Sequence, residues 1–229
     1  MTIGFRILAR RRAVSPEQAR RFLDVPVANV SDCMARMFAG GARLRPMHRG
    51  GIRMAGPALT VRTRPGDNLM VHKALQIAQP GDVIVVDAGG DLTNAIVGEI
   101  MTGHAAQRGL GGFVIDGAIR DAGAIRDGGF PVFAAGVTHR GPYKDGPGEI
   151  NVPIAIDGMV IEPGDLMIGD DDGMLCLPYG QVDALHAAAQ LKTQAEEKMV
   201  ADIRAGRYDA SWIDASLARL GCRVEGIDE

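Results

Sequence analysis

Three ionisable residues share a spacing that could support chemistry: Glu99, and then, after twenty intervening residues, Arg120 and Asp121. Arg120 and Asp121 directly follow the apolar run Gly112-Phe113-Val114-Ile115-Asp116-Gly117-Ala118-Ile119. Glu99 follows Gly98 and heads the segment Glu-Ile-Met-Thr-Gly-His-Ala-Ala-Gln-Arg-Gly, whose spacing is helical. Two carboxylates suit a hard divalent cation such as Mg²⁺, which prefers oxygen ligands and keeps part of its water. The planar guanidinium beside them suits an anionic oxygen. A helix that starts at Glu99 also presents the unpaired N–H groups of Ile100 and Met101 to a carboxylate. A structural explanation fits the same residues. An acid at a helix start stabilises the macrodipole, and an exposed Arg-Asp pair contributes only about 0–1 kcal/mol. Spacing alone leaves both explanations open.

Other chemistries find less support. His72, His104, His139 and His186 lack metal-ligand spacing. No dinucleotide fingerprint, P-loop or Gly-x-Ser-x-Gly elbow is present. Lys73 and Lys144 could in principle form a Schiff base, which requires an amine desolvated in an apolar pocket. The Pro-Gly-Asp-Asn turn at 65–68 and Gly-Pro-Gly-Glu-Ile-Asn at 146–151 are turn chemistry first, with Asn68 and Glu149 as distant candidates. Gly-Asp-Asp-Asp-Gly at 169–173 lacks the twelve-residue calcium-loop pattern and reads as a hairpin turn.

The positioning elements follow from pattern. Ser15-Pro16-Glu17-Gln18 combines an N-cap, a first-turn proline and a capping-box Gln, which predicts a helix to about Leu23. A second cap is expected at Ser31, with Gly40-Gly41 stopping that helix. Residues 51–68 read as extended, and 68–79 as a short helix closed by Pro80-Gly81. Then Val-Ile-Val-Val-Asp, Gly-Phe-Val-Ile-Asp-Gly and Phe-Pro-Val-Phe-Ala-Ala-Gly alternate with helical segments at 98–109 and 118–129. Apolar runs alternating with helices imply a parallel βαβ core buried on both faces. Ligands in such folds gather at strand carboxyl ends, here the loops 87–91, 116–121 and 135–140. Beyond Gly136, short strands separated by Asp-Gly and Pro-Gly-Asp turns predict an added β-hairpin layer. A long helix follows, closed by Gly206. The fold class is therefore α/β. We read 1–229 as a single domain with an N-terminal helical segment and a C-terminal helical extension from about residue 180.

Composition narrows the partners. The 229 residues carry a net charge of -3, with 46% hydrophobic and 23% charged residues. That balance provides no basic field for nucleic acid. No apolar run reaches the roughly 20 residues needed to cross a bilayer, and the first residues lack a signal-peptide pattern. No nucleic-acid or membrane partner is expected, and the reading is cytoplasmic. Three widely spaced cysteines, Cys33, Cys176 and Cys222, suit neither a disulfide framework nor a zinc knuckle.

Taken together, "AGPALTVRTRPGDN", "PGDVIVVDAGG", the Glu99…Arg120-Asp121 spacing, "GGFVIDGAIRD", "GFPVFAAG" and "IEPGDLMIGDDDGMLCLP" resemble one family in its order, over about residues 25–190. It is the RraA-like family, whose catalytic members are class II, metal-dependent pyruvate aldolases acting on 4-hydroxy-4-methyl-2-oxoglutarate or 4-carboxy-4-hydroxy-2-oxoadipate. The resemblance implies a swivelling β/β/α domain assembled as a homotrimer or homohexamer, with sites at subunit interfaces. It implies that Asp121 ligates Mg²⁺ or Mn²⁺ directly and that Glu99 does so through water. Arg120 would contact the pyruvyl oxygen of a 2-oxo acid, and the backbone of Gly98, Ile100 and Met101 would hold its carboxylate. Oxaloacetate decarboxylation is expected as a side activity, because it passes through the same enolate. Family members often carry Asp where this chain has Glu99. Glu196 and Glu197 are candidates for an acid that some members supply from a neighbouring subunit. The segment 138–154 is expected to shape specificity for the other half of the substrate. A second branch of the family consists of protein-binding regulators of ribonuclease activity, and that branch tends to lack the first acid.

Overall fold

The computed structural model describes residues 3–37 and 42–223. It contains two compact units, Met1–Gln190 and Leu191–Glu229. In chain order the first unit comprises β1 (Phe5–Ile7), α1 (Pro16–Arg20), α2 (Val27–Cys33), β2 (Arg45–Pro46), β3 (Met54–Thr63), α3 (Leu69–Ile77), β4 (Val83–Asp87) and β5 (Ala95–Val97). It continues with α4 (Glu99–Gln107), β6 (Gly112–Ile119), α5 (Ala122–Gly128), β7 (Val132–Val137), β8 (Gly148–Ile150), β9 (Ile154–Ile156), β10 (Met159–Ile161), β11 (Leu166–Asp170) and β12 (Gly173–Leu177). α6 (Val182–Arg204) crosses the boundary between the units, and α7 (Ser211–Arg219) lies in the second. The boundary falls inside α6 rather than near residue 180 because Leu185, His186 and Ala189 are buried with the first unit.

The main sheet runs β1-β8-β3-β4-β6-β7-β2. β3, β4, β6 and β7 are mutually parallel and form the expected βαβ core. Alternate residues face opposite clusters, so these strands have no polar face. Val83 and Val85 point toward the hairpins, α1 and α2, while Ile84 and Val86 point toward α3, α4 and α5. Burial on both faces explains why these runs are continuously apolar rather than alternating.

Local departures from expectation have clear causes. The capping box at Ser15 and Gln18 forms, with reciprocal bonds of 3.1 and 3.0 Å, but regular helix ends at Arg20 and residues 21–24 continue as turns. Ser31 caps nothing: it lies inside α2, whose N-cap is Pro26 and whose first N–H, at Val27, donates to Asp170 at 2.9 Å. An acid at the end of β11 thus does the work expected of Ser31. Gly40-Gly41 lies outside the described residues. β6 runs to Ile119, so the helix expected from 118 begins at Ala122. Of the short strands after Gly136, β9–β10 and β11–β12 are antiparallel hairpins. β8 instead joins the main sheet between β1 and β3, and β11 also pairs with β3. The second unit contains the end of α6 and α7, where Lys192 pairs with Glu196 at 3.1 Å and the Trp212 indole N–H donates to the Tyr208 hydroxyl at 3.1 Å. No helix among the described residues is long and apolar enough to cross a membrane.

Candidate active site

β5 and β6 pair in parallel at their carboxyl ends, and the Arg120 N–H continues that ladder by donating to Val97 O at 3.0 Å. Asp121 then takes a left-handed backbone, φ +56°, which ends the ladder and turns the chain into α5. Such a conformation is uncommon outside Gly, Asn and Asp. Although Asp121 is the N-cap of α5, its side chain makes no cap bond to that helix. It reaches across to α4 instead, where Oδ2 accepts from the Glu99 N–H at 3.0 Å. The Arg120 Nε lies 3.5 Å from the same oxygen. Both side chains are about two-fifths exposed, at 41% and 40%.

Gly98 makes this arrangement possible. Its backbone is extended, so glycine is not required by φ. It is required by space: a methyl there would overlap Asp121 Oδ2 and come within 2.9 Å of Arg120 Cγ. The three expected site residues, Glu99, Arg120 and Asp121, are therefore brought together by backbone contact between two helix starts. Of the two amides expected to be free, one is engaged. The Met101 N–H donates to Gly98 O at 3.1 Å, whereas the Ile100 N–H has no protein acceptor among the described residues. Ile100 itself is 80% exposed at the rim.

A pocket of about 210 Å³ is lined by Arg120 together with Gly98, Ile100, Met101, Asn68, His72, Pro142 and Lys144. Pro142 and Lys144 come from the segment expected to shape specificity. His72 and Lys144 bring an imidazole and an amine to the same lining. Desolvation pushes the His72 imidazole below its ordinary value, and the charges of Lys144 and His104 push it the same way. Asn68 bridges the pocket floor by donating to Ile96 O at 2.8 Å, while its Oδ1 is buried without a partner. Lys73, Glu149 and Asp116 are not among the residues that line this pocket. Lys73 binds Gln76 on α3 at 2.7 Å. Glu149 is buried on β8, paired with Arg6 at 2.7 Å. Asp116, expected at a loop, lies within β6. Glu196 and Glu197 belong to the second unit. His72 and the pocket-lining role of Lys144 were not legible from spacing. The usable signal was the Pro-Gly-Asp-Asn turn, which introduces α3.

Among the described residues, no group of three or more His, Cys, Asp or Glu side chains gathers as a metal site. Asp121, 40% exposed, holds its carboxylate beside Arg120, and Glu99 is exposed at the start of α4; carboxylate oxygens of this kind are the donors that a hydrated divalent cation accepts.

Fold and site together define an α/β swivelling-domain protein with an acid, Arg-Asp constellation at the end of its central strand. The Aldolase/RraA family model matches residues 27–176, and the chain belongs to that RraA-like family. It is 41% identical over 185 residues to a Halalkalibacterium halodurans protein provisionally named a 4-hydroxy-4-methyl-2-oxoglutarate aldolase, a match covering 80% of this chain and 88% of the relative. It is 36% identical over 129 residues to the 4-hydroxy-4-methyl-2-oxoglutarate aldolase of Thermus thermophilus, covering 56% and 78%. Among solved structures, RraAS2 of Streptomyces coelicolor, described as an unusual member of the RNase ES inhibitor RraA protein family, superposes with a TM-score of 0.71. That match has 28% identity and covers 81% of this chain and 96% of the other.

Proposed function

We propose that this protein is a carbon–carbon lyase that releases pyruvate from a 4-hydroxy-2-oxo acid by retro-aldol cleavage, with oxaloacetate decarboxylation as a side reaction. The observation that carries the reading is a pocket lined by Arg120 and by Ile100, whose N–H has no protein acceptor among the described residues, with Asp121 held against Arg120 and the Glu99 N–H beside it. Similarity to relatives named for this activity supports it.

In this reading the Ile100 N–H, helped by the positive end of α4, binds the substrate carboxylate. Arg120 donates to the 2-oxo oxygen. As the C4 hydroxyl gives its proton to a water or a nearby carboxylate and C4 becomes a carbonyl, the C3–C4 electron pair moves into the enolate of pyruvate, which then takes a proton at C3; Arg120 faces the oxygen on which that charge develops. Asp121, with Glu99 acting through water, would hold Mg²⁺ or Mn²⁺, which when bound adds Lewis acidity at the substrate carbonyl. The half beyond C4 would meet Lys144, whose ammonium favours an acidic group such as that of a second oxo acid, while His72, held below its ordinary value, lines the pocket as a neutral imidazole. The same proposal includes a homotrimer or homohexamer, checked by light scattering, and a cytoplasmic location.

The test is pyruvate release, coupled to lactate dehydrogenase, from 4-carboxy-4-hydroxy-2-oxoadipate and from oxaloacetate, with Mg²⁺, with Mn²⁺ and with chelator. Turnover that needs the metal and disappears in Asp121→Ala is the expected result. A folded, metal-supplied protein that releases no pyruvate overturns the reading. A second reading, a protein-binding regulator of a ribonuclease, draws on the likeness to RraAS2. Inhibition of an RNase ES-type endonuclease by Asp121→Ala as strongly as by the unaltered protein would favour it.

A further inference from the structure

Asp67 is fully buried beside the pocket, and the reaction scheme above gives it no role. Its carboxylate ties two separate stretches of chain together. Oδ1 accepts from the Leu69 N–H at 2.9 Å, at the start of α3. Oδ2 accepts from the Asp145 N–H at 2.7 Å, the Gly146 N–H at 2.9 Å and Arg64 Nη2 at 3.1 Å. Four donors thus converge on one buried carboxylate, three of them on Oδ2.

Both stretches carry pocket residues: α3 supplies His72 and is entered through Asn68, and the loop supplies Lys144. The loop is held most firmly around Lys144. On one side Tyr143 donates to Gly66 O at 2.8 Å and accepts from the Asn68 N–H at 3.0 Å. On the other side stands Asp145, bound to Asp67. Asn68, the N-cap of α3, has no side-chain cap bond of its own, so the carboxylate of Asp67 serves helix and loop at once. Removing its charge would leave the amides of Asp145 and Gly146 and the Arg64 guanidinium facing a weaker acceptor in a buried place.

We propose that Asp67 is a positioning residue that fixes Lys144 against α3, and so sets how the pocket receives the part of the substrate beyond the pyruvyl group. This rests on the retro-aldol reading for the identity of the substrate, but the clamp itself does not. Arg120, Asp121 and the Ile100 amide are placed by contacts between α4, β5 and β6, in which Asp67 has no part. The consequence is a division of labour: disturbing Asp67 affects cleavage of the whole substrate more than chemistry on pyruvate alone.

The test uses the full chain supplied with Mn²⁺ and compares the unaltered protein, Asp67→Asn, Lys144→Met and the double variant. Three quantities are read: KM and kcat for 4-carboxy-4-hydroxy-2-oxoadipate, exchange of pyruvate methyl protons in D₂O by NMR, and amide hydrogen exchange over residues 141–148 by mass spectrometry. In Asp67→Asn we expect amide exchange at 141–148 to rise at least tenfold. The ratio of diacid kcat/KM to pyruvate exchange should fall at least tenfold, mainly through KM. The double variant should be little worse than Lys144→Met, because both changes act on one group. Proportional loss of cleavage and pyruvate exchange, or effects that simply add, would overturn the positioning role. Unchanged amide exchange at 141–148 would overturn the clamp whether or not the protein is active. If the unaltered protein neither cleaves nor exchanges, the retro-aldol reading fails and the amide exchange still decides the clamp.

Discussion

Two acids five positions apart, Asp116 within β6 and Asp121 just beyond its end, pair with arginines in opposite ways. Asp116 is 5% exposed and lies in a ladder of charges that crosses five adjacent strands in register: Arg6 on β1, Glu149 on β8, Arg62 on β3, Asp87 on β4 and Asp116 itself. Arg43 closes the ladder, 2.8 Å from both Asp116 and Asp157. Asp121, by contrast, stands at the end of the strand with one amide bond, a loose Arg120 contact and a left-handed backbone. The ladder spends its charges on one another. The strand end leaves charge available to a ligand and accepts backbone strain, a combination that collects at functional sites. The same two residue types are buried and paired across strands in the ladder, and half-exposed and loosely paired at the strand end.

The sharpest way to break that contrast is Asp121→Asn, which tolerates the same backbone but lacks the charge. Pyruvate release should fall at least about 10³-fold, equivalent to about 4 kcal/mol of barrier, while thermal unfolding changes by less than about 1 kcal/mol. A large loss of stability would place Asp121 with the ladder instead. Gly98→Ala comes next. The added methyl displaces the Asp121 carboxylate, so kcat/KM should drop about 10²-fold, with about 1–3 kcal/mol of destabilisation from overpacking. Urea unfolding and the coupled assay read both.

On the ladder side, Arg43→Met leaves Asp116 buried with less countercharge. Breaking a buried pair costs about 3–5 kcal/mol, discounted here to about 1–3 because Arg43 is 41% exposed. Activity of the folded protein should be unchanged, and loss of activity at full stability would erase the distinction. The smallest effect is expected from Asp116→Asn. Burial pushes the Asp116 carboxyl up, Arg43 pulls it back, and Asp87 and Asp157 add to the rise. The native state therefore holds this proton to higher pH than the unfolded chain does. Its contribution to stability is fully present below the ordinary Asp value of about 3.9 and is lost as pH rises through the native value. Asn removes that loss, so the stability difference between variant and unaltered protein should shift in the variant's favour from pH 3.5 to 6, followed by melting temperature. A shift the other way would mean that Arg43 outweighs burial.

Much of the architecture was legible because it depends on local pattern. The capping box at Ser15 and Gln18 and the apolar runs of β4, β6 and β7 were readable, since each is set by neighbours a few residues apart. Ser31 misled because the signal is short, and a distant acid, Asp170, satisfied the α2 start first. β8 was invisible as a member of the main sheet because a three-residue strand carries too little periodicity to declare its partner. At the site, the types and spacing of Glu99, Arg120 and Asp121 could be read. That the Met101 N–H is consumed by Gly98 O, and that His72 and Lys144 line the same pocket as Arg120, could not.

By itself, then, the sequence determined the α/β class, the parallel core and the acid, Arg-Asp constellation, because hydrophobic period and turn chemistry act over a few residues and survive without knowledge of contacts. Tertiary structure alone decided which amide stays free, which acids are spent in the ladder and which basic residues line the pocket. Those outcomes depend on hydrogen bonds between groups distant in sequence, such as Glu99 to Asp121 and Asp67 to Asp145. Each backbone N–H has a single proton to donate, so the packed chain and not the local motif settles which amide remains available for chemistry.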